Sequence, residues 1–300
     1  MRVTDMTLAN QLSGDLASQQ ATITSLDEQL SSGDALMSPS DNPVAVADSL
    51  GYNRQIAQAA SDQSNATIAQ SWLGIGNQTA NQVVDTLQSV NTTVLQALNT
   101  GSNNTQTYSE MAQQVQGLMS QLVGLANTQY GNTPIFGGTA GVSQPYSSTG
   151  AYSGNSQPFT ISVGNGAPVA VSVSGDQMFG GGTSGVQSVF TTLQNIVTHL
   201  QAGPGSASYA GLQADLNDLS TNMTQAEQAA TTLGTSTQAV STASTAAQNT
   251  STQLQTVLSK TVSTDVPTVT AALQSDLTTY QAALYAVSQT VPETLAQFLK

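Results

Sequence analysis

His199 is the only histidine in a chain of 300 residues that has no cysteine, so the chemistry open to it is narrow from the start. A nucleophilic relay needs a positioned base, and a catalytic zinc needs three protein ligands. His199 instead stands in "HLQAGPG", just ahead of a break in a helical pattern. An imidazole in a last turn interacts with the free carbonyls there, so His199 is read as a helix-end residue. Two carboxylate pairs, Asp27/Glu28 and Asp215/Asp218, could be considered for glycoside hydrolysis, but that reaction needs carboxyls facing each other across a cleft. Both pairs fall on predicted helix surfaces, where they serve solubility. The glycine-rich "GIGNQ" (74–78) and "GNGAP" (164–168) lack the lysine of a phosphate loop. The Asn-X-Ser/Thr matches at Asn65 and Asn222 lie in helical stretches of a Ser/Thr-rich chain, where chance accounts for them. No catalytic, cofactor-binding or metal-ligating residue is assigned, and no cofactor is expected.

Charge narrows the field further. Only 7% of residues are charged, against about 25% in ordinary soluble proteins. The four bases are Arg2, Arg54, Lys260 and Lys300; none occurs from Gln55 to Ser259, and the formal net charge is -13. Such a chain cannot neutralise phosphates, which excludes nucleic acid, and it has no polybasic patch for a membrane surface. No run of 18 apolar residues is present to span a bilayer. The start, "MRVTDMTLANQ", lacks the basic, apolar, small-residue order of a cleaved signal, so any export is expected to use another route.

The elements are legible from periodicity. Leu12, Leu16, Ile23, Leu26 and Leu30 follow helical steps, with Gln19 in the missing place, and Gly33 supplies a C-cap. In "MSPSDNPVAVAD" (37–48), Pro39 ends helical geometry, then Asn42 and Pro43 read as N-cap and first residue of a new helix. That second helix is long, with Gly74 and Gly76 expected to bend or loosen it and Trp72 to anchor its packing. After the turn "NTGSNNTQ" (99–106), a third helix carries Tyr108, Met111, Val115, Leu118, Leu122 and Leu125 and should fold back on the second. From Tyr130 the chain turns rich in Gly, Pro, Ser and aromatics. "FTISV" (159–163) and "VAVSV" (169–173) alternate with period two and predict a hairpin, and "FGGGTSG" (179–185) reads as a linker. Helix resumes at Val186, breaks at "AGPGS" (202–206), and continues from Tyr209 through Leu212, Leu216, Leu219, Met223, Ala226, Ala230, Leu233, Val240, Ala247, Leu254 and Leu258. A last helix begins near Asp265, tolerating Pro267 in its first turn. Its stripe is Val266, Val269, Leu273, Leu277, Tyr280, Leu284, Val287, Val291, Leu295 and Phe298, and Pro292 is expected to kink or restart its final turns.

The fold class is therefore mainly α with a small β insertion between helical halves: a long α-helical rod with coiled-coil-like terminal helices and a β domain, an outer one by the resemblance that follows. The predicted division is 1–42, 43–130, 131–185, 186–262 and 263–300. Five aliphatic side chains cannot offset the entropy of ordering the thirty residues of the first helix. That helix needs a partner surface, and the C-terminal stripe matches it. Neighbouring copies are then expected to cover a remaining flank at Val3, Met6 and Leu8, with the termini ordering on assembly.

Three segments carry a resemblance. "LSSGDALMSPSDNPVAVADSL" resembles the N-terminal signature of the flagellin superfamily in its hook-associated version. "LANTQYGNTPIFGGT" (125–139) is similar to the segment before that family's β domain, and "YQAALYAVSQTVPETLAQFLK" to its C-terminal helix. The resemblance implies a secreted, non-enzymatic axial component of the bacterial flagellum at the junction of hook region and filament. It implies a polymer interface at Leu12, Leu16, Ile23, Leu26, Leu30, Leu273, Leu277, Tyr280, Leu284, Val287, Leu295 and Phe298. Pro39, Ser40, Asp41, Asn42 and Pro43 would be the joint between an inner helical tube and the rod. The implied partners are further copies, a neighbouring hook-associated protein, flagellin, and an export chaperone shielding the last helix. The alternative within the superfamily is a filament subunit. Outside it stand an enzyme in the β insertion, disfavoured because residues 131–185 hold one acid (Asp176) and no His, Lys, Arg or Cys, and a trimeric adhesin stalk.

Overall fold

The computed structural model describes residues 2–40, 42–99, 104–164, 168–182 and 185–298, with backbone alone for 2–6, 8–9 and 289–298. Helices α1 (Arg2–Ser32), α2 (Pro43–Leu98) and α3 (Thr105–Ala126) come first. Strands β1 (Gln129–Tyr130), β2 (Thr133–Pro134), β3 (Thr160–Ile161) and β4 (Val169–Ala170) follow, then α4 (Gly175–Phe179), α5 (Val189–Gln201), α6 (Ser206–Val262) and α7 (Val266–Phe298). The chain divides into two compact units, one made of Met1–Ala57 with Thr250–Lys300, the other of Gln58–Asn249.

The central unit holds the core. Along α2, the buried positions Ala66, Ala69, Leu73, Gly76, Ala80, Val83, Leu87, Val90, Val94 and Ala97 step by three and four without a slip. A second buried row, Trp72, Thr79, Thr86 and Thr93, repeats every seven residues, so α2 is packed over more than one stripe. The threonines bury without loss, because each hydroxyl donates to the carbonyl four residues back, at 2.7–2.9 Å. Gly76 does not loosen the helix. It lets α6 approach, since a Cβ there would stand 3.5 Å from Leu233. Asn77 bonds Thr237 and Asn91 reaches Met223, which sets α2 and α6 antiparallel. α3 returns against α2, where the Tyr108 hydroxyl donates to the Ala97 carbonyl at 3.0 Å, and α3 also packs on α5.

The β insertion is shorter in strand and denser in packing than its sequence suggests. β3 and β4 pair antiparallel with Thr160 opposite Ala170 and Ile161 opposite Val169, the predicted hairpin with two residues a side. β1 and β2 form a further hairpin, not anticipated from the sequence, across Gly131, whose φ is 60°. Phe136, Tyr146, Phe179 and Phe190 interlock at ring-centroid distances of 5.1–5.6 Å, so these loops share the core of the helices. The predicted linker is in part built structure. Gly180 and Gly181 have φ of 71° and 85°, and a Cβ on either would collide with Gln187 or Ser188.

On α6 the buried positions are Ser208, Leu212, Asp215, Leu219, Asn222, Ala226, Ala229, Leu233 and Val240. The predicted stripe placed Leu216, Met223 and Ala230 inward, yet these are half-buried. Asp215 and Asn222, each one position earlier, turn inward because α5 and the residue stretch just before it offer partners. Asn222 donates to the Gln187 carbonyl at 2.7 Å and its Oδ1 accepts from Thr192 at 3.0 Å.

Candidate assembly interface

In the terminal unit, local capping sets the elements. Gly33, at φ 78°, ends α1 with its N–H donating to the Gln29 carbonyl. Asn42 Oδ1 accepts from the Ala45 N–H at 3.1 Å, and Pro43 opens α2. Val269 N–H closes onto the Asp265 carbonyl to start α7, with Pro267 in the first turn. α7 runs without interruption past position 292 to Phe298. Of the two outcomes expected at Pro292, a restart of the final turns does not occur, because a proline removes one ladder bond and the helix continues beyond it.

Between α1 and α2, the loop is stapled to the α6–α7 turn. Ala35 N–H donates to the Val262 carbonyl at 2.7 Å, Thr264 N–H to the Gly33 carbonyl at 2.9 Å, and Asp34 and Ser263 form an antiparallel bridge. The two turns leading into and out of the terminal helices therefore hold each other, a long-range pairing with no local sequence signal. Pro39, Ser40, Asn42 and Pro43 are exposed around it, and Asp41 lies outside the described residues. A pocket of about 340 Å³ sits in this loop, walled by Leu36, Met37, Pro39, Val46, Leu258 and Val262 among others.

α1 and α7 pack together from this tether. On α1, Leu12, Leu16, Ile23, Leu26 and Leu30 are half-buried, with Gln19 in the same row. On α7 the half-buried row is Val269, Leu273, Asp276, Tyr280, Ala283 and Val287. Leu277 and Leu284 lie one position off it and stay 40% and 44% exposed. Leu295 and Phe298 have side chains outside the described residues, as do Val3, Met6 and Leu8. Val44 and Leu50, at the start of α2, are 70% and 58% exposed.

The burial contrast is sharp. Among the described residues, every buried one lies between Ala59 and Val240, so the terminal unit has none. Its two helices make a seam without an interior. Chemistry elsewhere is sparse. Among the described residues no three metal-binding side chains cluster, and no helix is long and apolar enough to cross a membrane. His199, in the central unit, stands in the last turn of α5, as its place before the helix break predicts. Its Nδ1 lies 2.7 Å from Asp215 Oδ2. Asp215 is buried rather than on the surface, and burial raises its pKa against the lowering effect of the imidazole.

Comparisons with known proteins agree with this architecture. The bacterial flagellin N-terminal helical region matches residues 3–140. Flagellar hook-associated protein 3 of Salmonella typhimurium is 27% identical over 61% of this chain. The match spans 58% of that relative's length. Bacillus cereus FlgL has the same fold, with a TM-score of 0.60 at 19% identity over 70% of this chain and 99% of its own. The flagellar junction protein FlgL of Legionella pneumophila aligns with a TM-score of 0.57 at 17% identity, over 73% of this chain and all of its own. The chain is thus similar to the flagellin N-terminal helical region over residues 3–140, to flagellar hook-associated proteins in sequence, and to FlgL structures in fold.

Proposed function

We propose that this protein is a structural axial component of the bacterial flagellum, outside the cell, at the junction between hook region and filament. One observation carries the reading: a chain similar to the flagellin N-terminal region pairs its terminal helices and yet encloses none of their described residues. An apolar seam with no interior gains stability when neighbours cover it. Leu12, Leu16, Ile23, Leu26 and Leu30 on α1, with Leu273, Tyr280 and Val287 on α7, form the seam. Leu277 and Leu284 offer a second apolar row toward the next subunit. Leu295, Phe298 and the flank at Val3, Met6 and Leu8 extend these contacts. Pro39 to Pro43 act as the joint between the terminal helices and α2. The division at residues 42, 130, 185 and 262 then separates segments that assemble from segments that face solvent. Adjacent partners are further copies, a second hook-associated protein and flagellin, and an export chaperone covers α7 before assembly.

Labelling this protein on isolated flagella tests the role. A single band at the distal end of the hook is expected. Label along the whole filament identifies a filament subunit instead, and cells that build normal filaments after deletion of the gene rule the junction role out.

A further inference from the structure

We propose that Met37 is an oxidation site, converted by peroxide to its sulfoxide ahead of the other described methionines, and that this change acts on the joint. Met37 is 44% exposed. Met178 is fully buried, and Met111, Met119 and Met223 are half-buried against the central core. Thioether oxidation follows access, so the ranking favours Met37.

The sulfur is also held in place. The Ser32 hydroxyl, on the last residue of α1, donates to Met37 Sδ at 3.4 Å and accepts from the Asp34 N–H at 3.1 Å. Met37 thus fastens the end of α1 to the loop that leads into α2, beside the apolar wall of Leu36, Val46, Leu258 and Val262. In the reaction a sulfur lone pair attacks one oxygen of hydrogen peroxide. The O–O bond breaks, an S–O bond forms, and the peroxide leaves as water after proton transfer. Sulfur loses two electrons and the peroxide gains them. A sulfoxide oxygen accepts hydrogen bonds far better than a thioether, so the Ser32 hydroxyl moves to it. The new dipole cannot lie against the four aliphatic side chains and turns to water. The loop is thereby reset at the point where the chain passes from α1 to α2. Only the effect on polymer growth rests on the assembly role proposed above; the oxidation itself does not.

The test treats the full-length protein with dilute hydrogen peroxide and follows each methionine by peptide mass spectrometry, as an increment of about 16 Da. Met37 is expected to react at least ~3-fold faster than Met111, Met119, Met178 and Met223. Ser32→Ala, which frees the lone pair, is expected to speed Met37 further and leave the others unchanged. In a seeded polymerisation assay, treated wild type is expected to extend more slowly, while Met37→Leu extends equally well before and after treatment. Oxidation that starts at a half-buried methionine overturns the site, and equal peroxide sensitivity of Met37→Leu and wild type overturns its action on the joint. Failure of untreated protein to polymerise counts against the assembly role alone, since the mass increments are read without it.

Discussion

Single side chains in the central unit show how a chain with so few charges organises its interior. Asp215 is buried beside His199, and its pKa is raised chiefly by desolvation. A carboxyl whose folded pKa lies above its ordinary 3.8 binds its proton better in the native state. Its contribution is therefore favourable at low pH and is lost as pH rises through the folded pKa. Asp215→Asn keeps an acceptor for the imidazole N–H and removes the buried charge. Thermal melts should place its Tm above wild type by roughly 2–4 °C at pH 7 to 8, with the gap closing as pH falls toward 3.8. Gly211 faces the same ring, since a Cβ there would stand 2.5 Å from Nε2. Gly211→Ala should displace the imidazole and cost about 1–3 kcal/mol in denaturant melts, a loss that Gly211→Ala with His199→Ala recovers in part. The buried threonine row makes a contrasting case. Each hydroxyl is satisfied within its own helix and its loss strands no partner, so Thr86→Val should cost no more than about 1.5 kcal/mol.

Among the elements, α1 and α7 differ in how plainly they announce their faces. The row on α1 from Leu12 to Leu30 was legible because leucine and isoleucine occupy every four-three step except that of Gln19. α7 misled, because Leu277 and Leu284 are more apolar than the Asp276 and Ala283 that lie in the seam. The same one-place offset recurs on α6, where Asp215 and Asn222 are inside and Leu216 and Met223 are at the margin. In both helices periodicity identifies the element, but the partner's hydrogen bonds and size decide which neighbouring row turns inward. The β3–β4 hairpin was legible from alternation, and the Asn42–Pro43 start of α2 from capping chemistry. The staple between Asp34 and Ser263 was not, since backbone pairing over such a separation leaves no mark on residue type. The offset on α7 separates two mutations. Leu273→Asp should weaken the α1–α7 pair and assembly together. Leu277→Asp should leave the monomer's helix content and Tm unchanged and stop polymer growth, as circular dichroism and sedimentation would show.

For the molecule as a whole, stability is unevenly divided. The described buried side chains all belong to the central unit, and regions poor in burial open most readily. Hydrogen exchange on dilute protein should find the amides of α1 and α7 exchanging orders of magnitude faster than those of α2 beyond Ala59. A chain trimmed to residues 43–262 should melt within a few degrees of the full protein. Equal protection from end to end would contradict both the division and the assembly role built on it.

The placement of the four bases has a practical corollary. Arg54 and Lys260 are exposed and bracket the segment that contains every described buried side chain. Trypsin therefore has no site within that core, folded or unfolded, and digestion should stop at a fragment from Gln55 to Lys260 even in denaturant. Reagents that couple to lysine amines will decorate Lys260 and Lys300 and leave residues 55–259 unmarked.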